Sequence, residues 1–318
     1  MVCGLGFRIA GSCSQERRLV EADRAFLGHA ACNPEAKVEQ ESYLSAFTYD
    51  GRFHDHLAAK RSTRGFAGPC WSRWLWFDID REGDLSGAAK AAAGVGSRVI
   101  DRYGVDADDL LAFFSGSKGF HIGVPTSLWN PQPGVTFHRT ARAMAEELAG
   151  PGNPIDSAIY DKVRAFRSPN SRHPKTGLHK VRIPFESLYQ TTPETFAKWA
   201  ADPQPFEIPS DPPIDQRAVE DWQTASAMIE QRAAVHRDCA GSHREQLNRA
   251  TMEFIREGAE PGTRHKAIYS AAANLAEFGA PERLAWALLS ESGLDAGLPP
   301  REVRRQIRCA YDAMKGGP

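Results

Sequence analysis

The sequence predicts an α+β chain, with a split-βαβ sheet layer first and an all-α helical bundle after it. Three observations predict this. The run Trp74-Leu75-Trp76-Phe77-Asp78-Ile79-Asp80 is apolar, of strand length, and ends in two acids. Between residues 74 and 159, strand-like and helix-like stretches follow in the order strand, helix, strand, strand, helix, strand. Beyond a Pro-rich stretch at 202–214, every periodic segment reads helical.

Each element has a local reason. In the 74–80 strand, alternate side chains share a face, so Asp78 and Asp80 project together while Phe77 and Ile79 pack the other way. Two carboxylates one strand repeat apart repel each other unless a cation lies between them. Hard oxygen ligands favour Mg²⁺ or Mn²⁺, ions that usually bring phosphates with them. An Ala-rich helix over 84–102 ends at Tyr103-Gly104. Strands over 110–115 and 120–124 flank Ser115-Gly116-Ser117-Lys118-Gly119, a turn whose free N–H groups and lysine suit phosphate oxygens. In the second of them, Phe120, Ile122 and Val124 face one way and His121 the other. A helix over 136–149 is stopped by Gly150-Pro151-Gly152, and the apolar stretch 155–159 is the expected fourth strand.

This β-α-β-β-α-β order is the ferredoxin-like (RRM) pattern, in which the first and third strands are neighbours and the fourth flanks the first. Asp78 and Asp80 are therefore expected beside His121, with Asp156 arriving from the next strand. From 161 to 182 there are seven Lys or Arg against one acid, Asp161. Ser-Pro-Asn-Ser and Pro-Lys-Thr-Gly within it are turn-forming strings, and 180–184 reads as a return strand. Such a basic hairpin would take the negative charge that a metal leaves on a triphosphate.

Singly, these signals are ordinary. Two acids at a strand end are more often solvated surface. A lone histidine is more often a hydrogen-bonded core or turn residue, and a basic run is usually a solvated face. Together and in this order, the D-x-D, the S-G-x-x-G-x-H string at 115–121 and the acid followed by a basic hairpin resemble the archaeo-eukaryotic primase superfamily, the primase-polymerases. The string Ser171-Arg172-His173-Pro174-Lys175-Thr176-Gly177 is similar to the small catalytic subunit of eukaryotic primase. The resemblance covers residues 50–190.

The resemblance implies a template-directed nucleotidyltransferase, a DNA primase or primase-polymerase that makes or extends primers on single-stranded DNA by two-metal catalysis. It implies Asp78, Asp80 and Asp156 as catalytic ligands of two Mg²⁺ or Mn²⁺ ions. Asp161 competes for the third place, and Asp156 is preferred because it lies in the apolar stretch ahead of Tyr160. Ser115, Ser117, Lys118 and His121 would contact nucleotide phosphates, Lys175 would reach the triphosphate, and Arg167 would join it. The implied partners are a single-stranded DNA template and nucleoside triphosphates. A separate helicase or replication initiator is expected too, because no Gly-x-x-x-x-Gly-Lys-Ser/Thr loop occurs in the chain. Two other classes compete: a catalytically inactive primase-like protein that binds single strands or an origin, and a metal-dependent phosphoesterase using the same acids. Removing Asp78 is expected to leave the fold intact.

Composition bounds the rest. A length of 318 residues suits about two domains. The expected division is a catalytic domain over 1–201, a semi-rigid linker over 202–214 and a helical domain over 215–318. Within the last, Gly262-Thr263-Arg264-His265-Lys266 and Pro299-Pro300 followed by Glu302-Val303 are similar to the helical C-terminal domain behind plasmid and phage primase-polymerase cores. Hydrophobic residues at 42% are enough for two cores, and a net charge of −1 leaves nucleic-acid binding to local patches. No apolar run approaches a membrane span, and the N-terminus lacks a signal pattern. Six scattered cysteines predict a reducing, cytoplasmic location. Lesser motifs are set aside. Gly4-x-Gly6 has no strand before it, His54-Asp55-His56 reads as a polar loop, and His236-x-x-Cys239-x-x-x-His243 offers an incomplete zinc set. The segment 60–69 is basic and glycine-containing, and either touches template or nucleotide or is an ordinary loop.

Overall fold

The computed structural model describes residues 3–152, 155–241, 247–260 and 262–315, with 235–241 and 315 as backbone only. His236, Cys239 and His243 thus lie outside the residues whose side chains are described. The chain forms two compact units, Met1–Arg232 and Ala233–Pro318. It is mixed α+β, with antiparallel sheets and a helical C-terminal region.

In the first unit, β1 (Leu5–Ala10), β2 (Arg18–Glu21), α1 (Ala22–Ala30), β3 (Ser42–Ser45), β4 (Thr48–Tyr49), α2 (Arg52–Lys60) and β5 (Cys70–Trp71) come first. Then follow β6 (Trp74–Asp80), α3 (Leu85–Tyr103), β7 (Leu111–Phe114), β8 (Gly119–Pro125) and α4 (Phe137–Ala149). The unit closes with β9 (Ala165–Arg167), β10 (Val181–Ile183), α5 (Ser187–Gln190), α6 (Pro193–Trp199) and the start of α7 (Gln216–Gly241). One sheet runs β5-β4-β1-β3-β9, with β2 also paired to β1, and the other runs β10-β7-β8-β6. No strand was expected before residue 74, so the first of these sheets is new.

The second sheet positions the site. Its β6–β8 ladder sets Asp78 opposite His121 and Asp80 opposite Gly119. Phe77 and Ile79 pair with Ile122 and Phe120 and are buried on the other face, as alternation requires. Burying a side chain of this size contributes about 1.5–3 kcal/mol. The Ala-rich face of α3 lies buried, and Asp84 caps the helix by accepting from the Gly87 N–H at 2.8 Å. Gly104 ends it in the left-handed conformation.

Several expectations change. β8 does lie between β6 and β7, but the fourth strand expected at 155–159 is a single 3₁₀ turn, Ser157–Tyr160. It is tied to the β6 edge by the Asp156 N–H, which donates to the Asp78 carbonyl at 2.9 Å, and by the Tyr160 hydroxyl, which donates to the Trp76 carbonyl. The Asp156 carboxylate accepts from the Ala158 N–H and so starts a turn instead of a ladder. The split-βαβ layer is therefore incomplete on that edge. The basic hairpin closes on itself only at its tip, where Arg172 bridges His179 and the His173 N–H donates to the Leu178 carbonyl at 2.7 Å. β9 pairs with β3 and β10 with β7, so the segment crosses from one sheet to the other. Between them, Ser168, Asn170 and Ser171 are buried, and their side chains bond Ser42, His29 and Gln204. His54, Asp55 and His56 lie in α2, not in a loop.

The expected linker is strapped onto the first unit. Phe206 and Ile208 pack against its core, the Phe206 N–H donates to the Ala30 carbonyl, and Asp211 pairs with Arg73 at 3.2 Å. Ala218, Trp222 and Ala225 of α7 are buried in the same core. The division thus falls after Arg232, not at 202–214. The second unit packs α8 (Arg249–Glu257), α9 (Arg264–Glu277), α10 (Glu282–Asp295) and α11 (Pro300–Lys315) around Phe254, Ile268, Leu275, Leu289, Val303 and Ile307. Among the described residues, no helix is long and apolar enough to cross a membrane.

Candidate active site

An open cleft of about 200 Å³ lies over the β6–β8 ladder. Asp78 and Asp80 enter it from β6 and His121 from β8, while Ser115, Ser117 and Lys118 enter from the turn before β8. Arg164, Phe166 and Arg167 around β9, together with His173 and Tyr43, form the facing wall. Seven of the sequence-predicted residues thus line one cleft: Asp78, Asp80, Ser115, Ser117, Lys118, His121 and Arg167. Asp156 and Lys175 do not line it. Asp156 lies beside it, half-exposed and 3.9 Å from Arg164, and Lys175 is exposed. Asp161 also lies outside the lining, as does every residue of 60–69, where Phe66 is buried against Tyr49 and Phe53.

The turn is shaped by its glycines. Gly116 has φ +78°, and a Cβ there would sit 3.0 Å from the carbonyl oxygens of Leu178 and His179. Gly119 faces Asp80, and a Cβ there would lie 2.2 Å from Asp80 Oδ1 and 2.1 Å from the Ile79 carbonyl oxygen. Only glycine lets the carboxylate lie across the ladder. Ser115 Oγ accepts from the Gly119 N–H at 3.3 Å, and Thr176 Oγ1 donates to the Gly116 carbonyl at 2.6 Å. That last bond ties the basic segment to the turn.

Charge is arranged unequally on the two strand acids. Burial pushes the Asp78 carboxyl up, but His121, Lys180 and Arg164 together outweigh it and hold it below the usual carboxylate range. Asp80 goes the other way: burial and then the Asp78 charge raise it, with a smaller push from Asp156, although Lys118 lies 3.4 Å away and opposes the shift. His121 is buried, and desolvation followed by the Lys180 charge pushes it down to about 4, so its ring is neutral at pH 7. Its Nε2 lies 3.3 Å from Asp78 Oδ1, out of hydrogen-bond alignment. Oδ1 is left buried without a donor, and so is His121 Nδ1 without a partner. Under the pair lies Lys180, fully buried, its ammonium donating to the Arg167 carbonyl at 2.9 Å. It stands 4.2 Å from the Phe166 ring, 4.8 Å from Phe113 and 5.2 Å from Trp76. Burial drives its pKa well below the ordinary lysine value.

A donorless buried carboxylate oxygen beside a second carboxylate raised by its neighbour is a pair that a cation would satisfy. Asp156 would join them only by releasing the Ala158 N–H. Among the described residues, no three His, Cys, Asp or Glu side chains converge closely enough to hold a metal ion.

Sequence reasoning did not single out Lys180, Arg164, His173 or Tyr43 as site residues. Lys180 and Arg164 lie in the basic run, but nothing in the run distinguishes the buried lysine from exposed ones. His173 accepts at Nδ1 from the N–H groups of Lys175 and Thr176, which leaves Nε2 to carry the proton. Tyr43 comes from the N-terminal sheet, where no strand was expected. No protein-family model matches this chain, no curated protein is significantly similar to it, and no solved structure matches its fold.

Proposed function

We propose that the chain is a template-directed nucleotidyltransferase of primase-polymerase type, working on single-stranded DNA. The observation that supports it best is the β6–β8 register, which puts two carboxylates, a neutral histidine and a lysine-bearing glycine turn on one cleft, opposite Arg164 and Arg167. In this reading Asp78 and Asp80 hold Mg²⁺ or Mn²⁺, and Asp156 completes the set when it turns from its own helix cap. When bound, the ion supplies a lowered pKa at the attacking 3′-hydroxyl and charge neutralisation at the leaving pyrophosphate.

The chain's own residues do the remaining work. Lys118, Arg164 and Arg167 offset the triphosphate charge, and a planar guanidinium binds phosphate oxygens in pairs. Ser115, Ser117 and the N–H groups of the glycine turn orient the phosphates. Neutral His121 and His173 each have one N–H to donate without adding charge. Lys175 lies outside the cleft, and His173 of the same segment takes its place at the phosphates. A separate helicase or initiator opens the duplex. The five cysteines of the described residues are all free, which suits a reducing cytoplasm.

A second reading is a catalytically idle single-strand-binding protein. It is favoured by the lack of a converged three-ligand set among the described residues. Incubating the protein with a single-stranded template, Mn²⁺ and labelled nucleotides separates the readings by product. Template-dependent oligonucleotides are expected. Strand binding without product would leave the binding module standing, and nucleotide hydrolysis without chain growth would point to a phosphoesterase.

A further inference from the structure

Lys180 is the one lysine or arginine that lies buried among the described residues, with 1% of its surface exposed. It immediately precedes β10, where the basic segment enters the second sheet. Its N–H donates to the Ser171 carbonyl at 3.1 Å, and its carbonyl accepts from the Asn170 N–H at 2.7 Å. The backbone is thus fixed, and the side chain turns inward. Its ammonium meets rings from both sheets: Trp76 of β6 and Phe113 of β7 in the second, Phe166 of β9 in the first. Its bond to the Arg167 carbonyl then ties the wall that carries the arginines to the floor that carries the strand acids.

A buried ammonium is costly, and an apolar side chain of like length would fill the same space without that cost. Methionine has that length, and aromatic rings receive its sulfur well. Packing alone therefore does not account for a lysine here. Burial works against its charge, and the Asp78 carboxylate works for it. The three ring faces and the Arg167 carbonyl favour the charge as well. Its effect reaches the cleft, because the Lys180 charge acts on Asp78 and on His121. A fixed positive charge beneath Asp78 repels a lone divalent cation and attracts an anion.

Given the triphosphate reading of the cleft, on which this rests, we infer that Lys180 is a positioning residue. It holds Arg167 across from the strand acids, and its charge disfavours a divalent ion that arrives without a triphosphate. An anion at Lys118, Arg164 and Arg167 offsets that charge and strengthens the hold of Asp78 and Asp80 on the ion. Ion and anion then favour each other's binding. Lys180 touches neither of them, since it lies beneath the cleft and not in its lining.

The test measures two ligands separately on the full-length protein at neutral pH. Mn²⁺ alone is followed by the paramagnetic resonance signal of the free ion, and inorganic tripolyphosphate in metal-free buffer by calorimetry. Lys180→Met keeps the packing and removes both the charge and the donor. It should bind Mn²⁺ about tenfold more tightly and tripolyphosphate about tenfold more weakly than the parent. Lys180→Gln keeps a donor for the Arg167 carbonyl without the charge, and should also tighten Mn²⁺. A residue that only braces the fold would weaken both ligands together when replaced, and that result overturns the positioning role. So does unchanged Mn²⁺ affinity in both variants, or failure of both to fold. A parent that binds neither ligand overturns the triphosphate reading and this role together, whereas a parent that binds both while the variants fail to split them overturns the role alone.

Discussion

Asp78 and Asp80 are two residues apart on one strand, yet their surroundings give them opposite stability roles. The folded protein favours the ionised Asp78, because His121, then Lys180 and Arg164, together outweigh its burial. It disfavours the ionised Asp80, which is raised by burial and by Asp78. Asp78→Asn should therefore lower stability by about 1–3 kcal/mol, read by denaturant unfolding, because it removes a buried carboxylate from beside His121, Lys180 and Arg164. The fold itself is still expected to form, at this lower stability. Asp80→Asn should leave stability unchanged or raise it while abolishing synthesis, the usual signature of a strained functional group. Lys118→Ala should weaken triphosphate affinity about tenfold, since a half-exposed ammonium is a single charge contact, and calorimetric titration would measure it.

At the level of elements, the β6–β8 pair was legible because alternation fixes which residues face each other once the strands are paired. Phe77, Ile79, Phe120 and Ile122 carry that signal, and Asp78 and His121 ride on the other face. Gly119 is the register's most sensitive point. Gly119→Ala should cost about 1–3 kcal/mol or more, because the Ile79 carbonyl cannot move out of the ladder to admit a Cβ. Thermal unfolding of the purified variant checks it. The fourth strand was misread because Ile155 and Ile159 supply strand-like hydrophobicity, while the Asp156 cap on Ala158 decides locally for a turn. β1 could have been read, since Phe7 and Ile9 are buried two residues apart, but the other N-terminal strands are only two to four residues long. β2, for instance, is almost wholly exposed and is held only by pairing with β1. The inward turn of Ser168, Asn170 and Ser171 was hidden for a related reason: polar turn residues look alike in sequence whether water or another sheet receives their bonds.

Across the whole molecule, the helical C-terminal region was legible from periodicity, but the division between units was not. Prolines at 203, 205, 209, 212 and 213 look like a free linker, whereas Phe206, Ile208 and Trp222 fasten that stretch and the start of α7 to the first core. A chain ending at Ala201 should be less stable than one ending at Arg232 by about 3–5 kcal/mol, the order of losing one buried tryptophan, as denaturant midpoints would show. Acid should also loosen the first unit. Burial, then the Arg8 charge, pushes His29 down to about 4 against an ordinary 6.5. The unfolded chain therefore takes up the proton first, and stability present above pH 6.5 is lost as pH falls toward 4. His29→Gln should flatten that part of the melting curve against pH. The most direct test of the central claim is pyrophosphate release from nucleoside triphosphates with Mn²⁺ and a single-stranded template, comparing the parent protein with Asp80→Asn. The account predicts template-dependent release from the parent and none from a variant that melts no lower. Release undiminished in that variant, or none from the folded parent, would contradict it.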